Sequence, residues 1–139
     1  MQLAKLSGFS PIITTASLKH TEYLKGIGAT DVLDRNLPVP DLSQKIAEIA
    51  KVPILRVFDA ISLPTTQELG LALLGSGGKL AVILPPTVEA SKGKTIVSVS
   101  GVLRSPDNIE ILEDLYRTKA SALAENGAIK VSSQISGIV

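Results

Sequence analysis

The chain has 139 residues, a formal net charge of +1, 45% apolar and 19% charged residues, and no cysteine. That length suits one domain with a sizeable core, and the balance describes a globular chain, not a disordered one. The near-neutral charge gives no field for nucleic acid or a membrane surface, two Phe and two Tyr without Trp give few stacking platforms, and the lack of Cys rules out disulfides and thiolate chemistry.

Met1 to Gly8 has helical spacing with a glycine stop, and Pro11 to Ser17 reads as a strand. Leu18 to Ile27 is predicted as a short helix, with Ser17 as its N-cap and Gly28 as its stop. Thr30 to Asp34 is a second short strand, followed by a Pro-containing loop from Asn36 to Pro40. Asp41 is expected to cap a helix from Leu42 to about Lys51, with Leu42, Ile46, Ile49 and Ala50 on one face. Ile54 to Asp59 is a third strand. A helix from Pro64 to Leu74 follows, ended by the turn Gly75-Ser76-Gly77-Gly78. Lys79 to Leu84 is a fourth strand, halted by Pro85-Pro86, and Pro85 to Lys94 is a loop expected to be mobile. Thr95 to Val102 is a fifth strand, Pro106 to Asn126 a long amphipathic helix, and Gly127 to Val139 an extended tail with a strand at Ile129 to Val131.

Strands at regular intervals with helices between them imply right-handed crossovers and parallel pairing, so the expected fold class is α/β, with helices on both faces of a Rossmann-like sheet. Nothing in the first residues supplies the strand and Gly-rich turn that open a dinucleotide-binding unit, so the expected sheet lacks its first strand and that loop. The whole of 1–139 is read as one such truncated domain.

Several groups invite a chemical reading and do not sustain it. His20 is the sole histidine and has no partner set for a metal site or a triad. Asp31 and Asp34 flank Val32 and Leu33 of a strand and read as strand-end polar residues, not as an acid/base pair. Gly75 to Gly78 follows a helix and precedes a strand, the wrong order for a phosphate loop. Glu110, Glu113 and Asp114 with Arg117 and Lys119 form a solvated helix face. No catalytic residue and no metal ligand is assigned.

The strings Gln2-Leu3-Ala4-Lys5, Ile12-Ile13-Thr14-Thr15-Ala16-Ser17 and Gly28-Ala29-Thr30-Asp31-Val32-Leu33-Asp34 resemble the cofactor domain of medium-chain dehydrogenase/reductases. Val57 to Ser62, Gly77 to Val82, Glu113 to Tyr116 and Gly127 to Val131 extend that likeness over nearly the whole chain. Within the superfamily, the zinc-independent quinone-reductase and fungal trans-enoyl-reductase branch is the nearest. The resemblance implies NADPH as cofactor, bound weakly or as a vestige, and hydride transfer to an activated C=C or a quinone. The family's catalytic domain finds no counterpart here, so the chain is expected to be a fragment or a truncated paralogue that is not catalytically competent alone.

The resemblance also implies positions for the cofactor. Ser17, Lys19 and His20, at the end of the second Rossmann strand, would meet the 2′-phosphate through a hydroxyl and cations. No acidic residue stands at Ala16 or Ser17 to bind an NAD ribose. Arg35 would add a second phosphate contact. Ala60, Ile61 and Ser62 would line the nucleotide through their backbone, and Leu84 would lie on the nicotinamide side. The alternative reading makes Ser17 a helix cap, leaves Lys19 and Arg35 solvated, and gives the Asp59 side chain a capping role. Loss of a central strand would leave two open edges, which the two halves, the tail or a second chain must cover. A homodimer or a complementing chain is the expected partner, with no nucleic acid and no membrane, and the cytoplasm the expected location. A binding or interaction protein without enzymatic activity, built on the same scaffold, is the rival reading.

Overall fold

A computed structural model describes residues 1–102 and 106–130. By their contacts these residues divide into two compact units, Met1–Asn36 with the described residues after 105, and Leu37–Val102. The strands form two parallel sheets flanked by helices.

The first unit holds a two-stranded sheet of β1 (Ile13–Ala16) and β2 (Asp31–Asp34), paired in parallel with Ile13 opposite Asp31 and Ala16 opposite Asp34. Both strands are shorter than their sequence patterns suggest. Thr30 ends the ladder, because its hydroxyl accepts from the Ile12 N–H and donates to the Ile12 carbonyl. Helix α1 (Gln2–Leu6) precedes β1, and the Gln2 carboxamide bonds both the N–H and the carbonyl of Lys130, tying the two ends of the unit together. Between the strands lies not one helix but a 3₁₀ turn, Leu18–His20, followed by α2 (Thr21–Gly26). The Thr21 hydroxyl donates to the Leu18 carbonyl at 2.7 Å, the local bond that breaks the regular helix.

The C-terminal helix is α5 (Pro106–Asp114), a single π turn over Leu115–Lys119, and α6 (Ala120–Glu125). Thr118 Oγ1 donates back to the Asp114 carbonyl at 2.5 Å, a bond that competes with the helix ladder at the break. The exposed charges pair as the sequence suggests, Arg117 with Glu113 and Lys119 with Asp114. The ammonium of Lys119, then the hydroxyl of Thr118, hold the Asp114 carboxyl below the usual carboxylate range. Ile129 is not in a strand; its N–H bonds the Leu123 carbonyl. The expected tail from Val131 onward lies outside the described residues.

The second unit opens with α3 (Val39–Ala50), which buries Leu42, Ile46 and Ala50 as the periodicity requires. Its start is earlier than expected. Pro40 sits in the first turn, where a missing N–H costs nothing, so Asp41 lies inside that turn and is not the cap. Lys51, in the left-handed region at φ 55°, stops the helix. Strands β3 (Ile54–Asp59), β4 (Leu74–Val82) and β5 (Thr95–Ser98) form a parallel sheet in the order β3-β4-β5. Helix α4 (Pro64–Leu73) makes the crossover between β3 and β4.

The core of this unit is Leu74, Leu80 and Val82, with Ile54, Val57, Leu71 and Ile96 packed against it. The glycine run expected as a turn is instead a bulge inside β4. Ile54 pairs with Leu74 and Arg56 with Lys79, so the residues between Leu74 and Lys79 loop out of register. A Cβ on Gly78 would stand 2.8 Å from the Gly75 carbonyl oxygen, and one on Gly75 would stand 2.6 Å from Pro53 Cβ. Small residues are required there because the chain is folded onto itself, not because it turns.

Candidate functional site

In a parallel sheet the residues that follow the strands collect at one edge, the C-terminal one, where such folds bind ligands. The register of β1 and β2 does this for the first group of candidates. Ala16 lies opposite Asp34, and the Arg35 N–H donates to the Ala16 carbonyl at 3.1 Å. Ser17, Lys19 and His20 leave β1 at the same sheet end where Arg35 leaves β2. The Ser17 carbonyl accepts from the His20 N–H at 3.0 Å, which folds the basic pair back into a tight turn.

Ser17 is half-buried, while Lys19, His20 and Arg35 are exposed. Ser17 makes no side-chain capping bond, so its hydroxyl is not committed to the helix that follows. Among the described residues the ion pairs are those of the C-terminal helix, so neither Lys19 nor Arg35 is neutralised by a carboxylate. The nearest acid by register, Asp34, turns Oδ1 to the backbone N–H and the side-chain amide of Asn36, at 2.9 and 3.1 Å. The backbone register thus puts two exposed cations and a serine hydroxyl without a capping bond at one sheet end. Among the described residues there is no His/Cys/Asp/Glu cluster fit for a metal, and His20 stands apart from any such set.

The second group lies at the C-terminal ends of β3 and β4. Asp59 is buried and organises the turn that leaves β3. Its Oδ1 accepts from the N–H groups of Ile61 and Ser62 at 3.0 and 2.8 Å, and its Oδ2 accepts from Thr66 Oγ1 at 2.7 Å. Asp59 is therefore not the cap of α4, whose N-cap is Leu63 without a side-chain bond; its carboxylate closes the turn ahead of the helix and reaches the helix only at the Thr66 hydroxyl. Ser62, at φ 57°, donates its hydroxyl to the Asp59 carbonyl and accepts from the Ile83 N–H, both at 2.8 Å. One side chain therefore joins the ends of β3 and β4.

These bonds change what the turn can offer. The N–H groups of Ile61 and Ser62 already serve Asp59, and the Ser62 hydroxyl is buried and engaged. What faces outward is apolar: Ile61 is 56% and Leu84 47% exposed, with Ala60 exposed beside them. The surface is a hydrophobic ledge and not a nest of backbone donors.

Sequence reasoning missed Gln67 altogether. It is fully buried in α4 and bonds Ser62, Pro85 and Thr87. A lone Gln among polar helix residues reads as solvent-facing, and its loop partners lie far along the chain. Lys94 is similar, donating Nζ to the Leu71 carbonyl near the end of α4 at 2.7 Å. With the Gly77 N–H donating to the Gly93 carbonyl, the loop expected to be mobile is tied down near both ends. No described helix is long and apolar enough to cross a membrane.

No family model matches the chain. Among curated proteins it is 38% identical over 86 residues to the dual trans-enoyl reductase/FAD-dependent monooxygenase tazHJ of Aspergillus terreus, covering 61% of this chain and 12% of that protein. It is 36% identical over 90 residues to the trans-enoyl reductase fsa3 of a Fusarium species, covering 65% of this chain and 25% of that one. Among solved structures, a mycobacterial protein in complex with NADPH superposes with a TM-score of 0.71 at 22% identity, over 94% of this chain and 42% of the other. The chain is similar in sequence to part of the fungal trans-enoyl reductases, and it has the Rossmann-like fold of the medium-chain dehydrogenase/reductase type. It spans an eighth to a quarter of the curated relatives it matches.

Proposed function

We propose that this chain is an NADPH-binding unit of a zinc-independent enoyl- or quinone-reductase, acting in the cytoplasm. The observation that carries the reading is the parallel register of β1 and β2, which gathers Ser17, Lys19, His20 and Arg35 at one sheet end with no ion-paired carboxylate among them. A phosphate monoester there gains charge-assisted hydrogen bonds from the two long cations and a hydroxyl. NADH, which has a 2′-hydroxyl in place of the phosphate, gains none of that charge term.

NADPH would supply a hydride for an activated C=C or a quinone. The residues of this chain bind and orient, each unit by itself: in the first, Lys19 and Arg35 hold a phosphate, and in the second, Ala60, Ile61 and Leu84 offer an apolar face to a nicotinamide ring. Catalysis is assigned to this unit only in company with a further substrate-binding part, supplied by a longer chain or a complementing partner. Each group of residues is tested separately, with its own piece of the cofactor. Adenosine 2′,5′-bisphosphate is expected to shift the NMR signals of Ser17, Lys19 and Arg35, and Lys19→Ala with Arg35→Ala to weaken it about tenfold or more, the scale of losing charged hydrogen bonds. Equal affinity for adenosine 5′-phosphate would show that these residues do not read the 2′-phosphate.

A second reading, an interaction module without a nucleotide, is favoured by one observation. The outer strand β3 exposes Leu55 and Phe58, the latter at 65%. Under either reading the partner of that edge is a second copy or a complementing chain.

A further inference from the structure

We propose that Gln67 is a positioning residue: it fixes the Pro85–Thr87 segment against the Asp59–Ser62 turn and thereby sets how tightly the apolar ledge holds a nicotinamide nucleotide. The ligand named here rests on the dinucleotide reading above; the fixing of the segment does not.

The carboxamide of Gln67 uses its whole hydrogen-bonding capacity. Nε2 donates to the Ser62 carbonyl at 2.9 Å and to the Pro85 carbonyl at 3.2 Å. Oε1 accepts from the Thr87 N–H at 2.9 Å and from Thr87 Oγ1 at 3.2 Å. Two donors and two lone pairs are all that the group has. No solvent reaches it: among the described residues Gln67, with Leu80 and Val82, is one of the largest side chains completely withdrawn from water.

A buried amide is costly unless every bond is made, and a Leu or Met would fill the same volume without that demand. What the amide adds is position. After Val82 the chain runs into Pro85-Pro86, which have no N–H and cannot continue a β ladder. Among the described residues no backbone bond then holds residues 85–87 to the sheet, and the Gln67 side chain takes that place. It contacts the turn after β3 at Ser62 and the segment after β4 at Pro85 and Thr87. Ser62 adds its own bond to the Ile83 N–H. The two sides of the ledge, Ile61 on the first segment and Leu84 on the second, are therefore held in one fixed relation. A flat, weakly polar ring gains from such a ledge only if both sides are in place before it arrives.

The test uses the 139-residue chain in three forms: unsubstituted, Gln67→Met and Thr87→Pro. The first variant nearly conserves volume and removes all four bonds. The second removes the Thr87 donors from the exposed side and leaves the core residue intact. Affinities for reduced nicotinamide mononucleotide and for adenosine 2′,5′-bisphosphate are measured by NMR titration, with amide hydrogen exchange at Ile83, Leu80 and Val82.

Both variants are expected to lose about tenfold in affinity for the nicotinamide nucleotide and to keep adenosine 2′,5′-bisphosphate within about twofold. Ile83 exchange should quicken while Leu80 and Val82 stay protected. Equal losses for the two ligands, or no loss for either, would overturn the positioning role. If the unsubstituted chain binds no nicotinamide nucleotide, the dinucleotide reading fails at the ledge and exchange alone decides: unchanged protection of Ile83 in the variants overturns the proposal, and faster exchange keeps Gln67 as the residue that fixes the ledge. Should Gln67→Met not fold, Thr87→Pro gives the same decision.

Discussion

Asp59 shows how one carboxylate can be claimed by structure before any ligand arrives. It accepts three hydrogen bonds from Ile61, Ser62 and Thr66 while 8% exposed. Truncation removes the acceptor from two backbone donors and one hydroxyl at a site water barely reaches, and hydrogen bonds to a charged group are the stronger kind. Asp59→Ala is expected to lower stability by about 2–3 kcal/mol, read as a fall in the urea midpoint at unchanged slope. Asp59→Asn keeps an acceptor for the two N–H groups, and its amide can donate to Thr66 Oγ1. It should cost less than half as much as Asp59→Ala. Equal losses for the two variants would mean that charge, and not acceptor geometry, is what the turn needs.

At the scale of elements, the sequence patterns located the five strands and the long helices because apolar period and punctuation agree there. Leu42, Ile46 and Ala50 on α3 are buried as their spacing requires. Ends were less legible: Thr30 closes off the β1–β2 ladder with its own hydroxyl, and α3 starts at Val39, with Pro40 in its first turn, before Asp41 can cap it. The glycine run 75–78 permits a turn, and a sequence cannot show that Pro53 and the Gly75 carbonyl crowd those positions. The choice of Ser17, Lys19 and Arg35 comes from the family resemblance, and the β1–β2 register adds that they share one sheet end. The Gln67 contacts were not legible, since Thr87 is twenty residues away and only folding brings it near.

A bulge and a turn respond differently to side chains at Gly77 and Gly78. Gly77 has φ 78° with nothing near a Cβ, so asparagine, which tolerates the left-handed region, should be accepted with a loss of about 1 kcal/mol or less. Gly78 has ordinary φ, but its Cβ would press on backbone and on Leu74, so Gly78→Asn should cost about 1–3 kcal/mol through overpacking. A simple turn would reverse that order, because a turn penalises only the residue with positive φ. Thermal melts of the two variants decide it.

For the whole molecule the question is what covers the outer strands. Parallel sheets are ordinarily buried on both faces and protected at their edges. Here the described strands form one sheet of two and one of three, and β3 ends the larger one. On that strand Leu55 is 47% and Phe58 65% exposed, with no proline and one cation, Arg56, to blunt the edge. A two-stranded sheet is marginal by itself, which adds to the advantage of association. Sedimentation equilibrium should therefore find an average mass rising with concentration through the micromolar range, from 14.5 kDa toward twice that value. Phe58→Lys places a charge on the edge without touching Leu74, Leu80 or Val82, and it should hold the chain at 14.5 kDa with an unchanged circular dichroism spectrum. A chain that is monomeric at every concentration leaves the edge to a different partner, whereas association that survives Phe58→Lys places the contact elsewhere on the molecule.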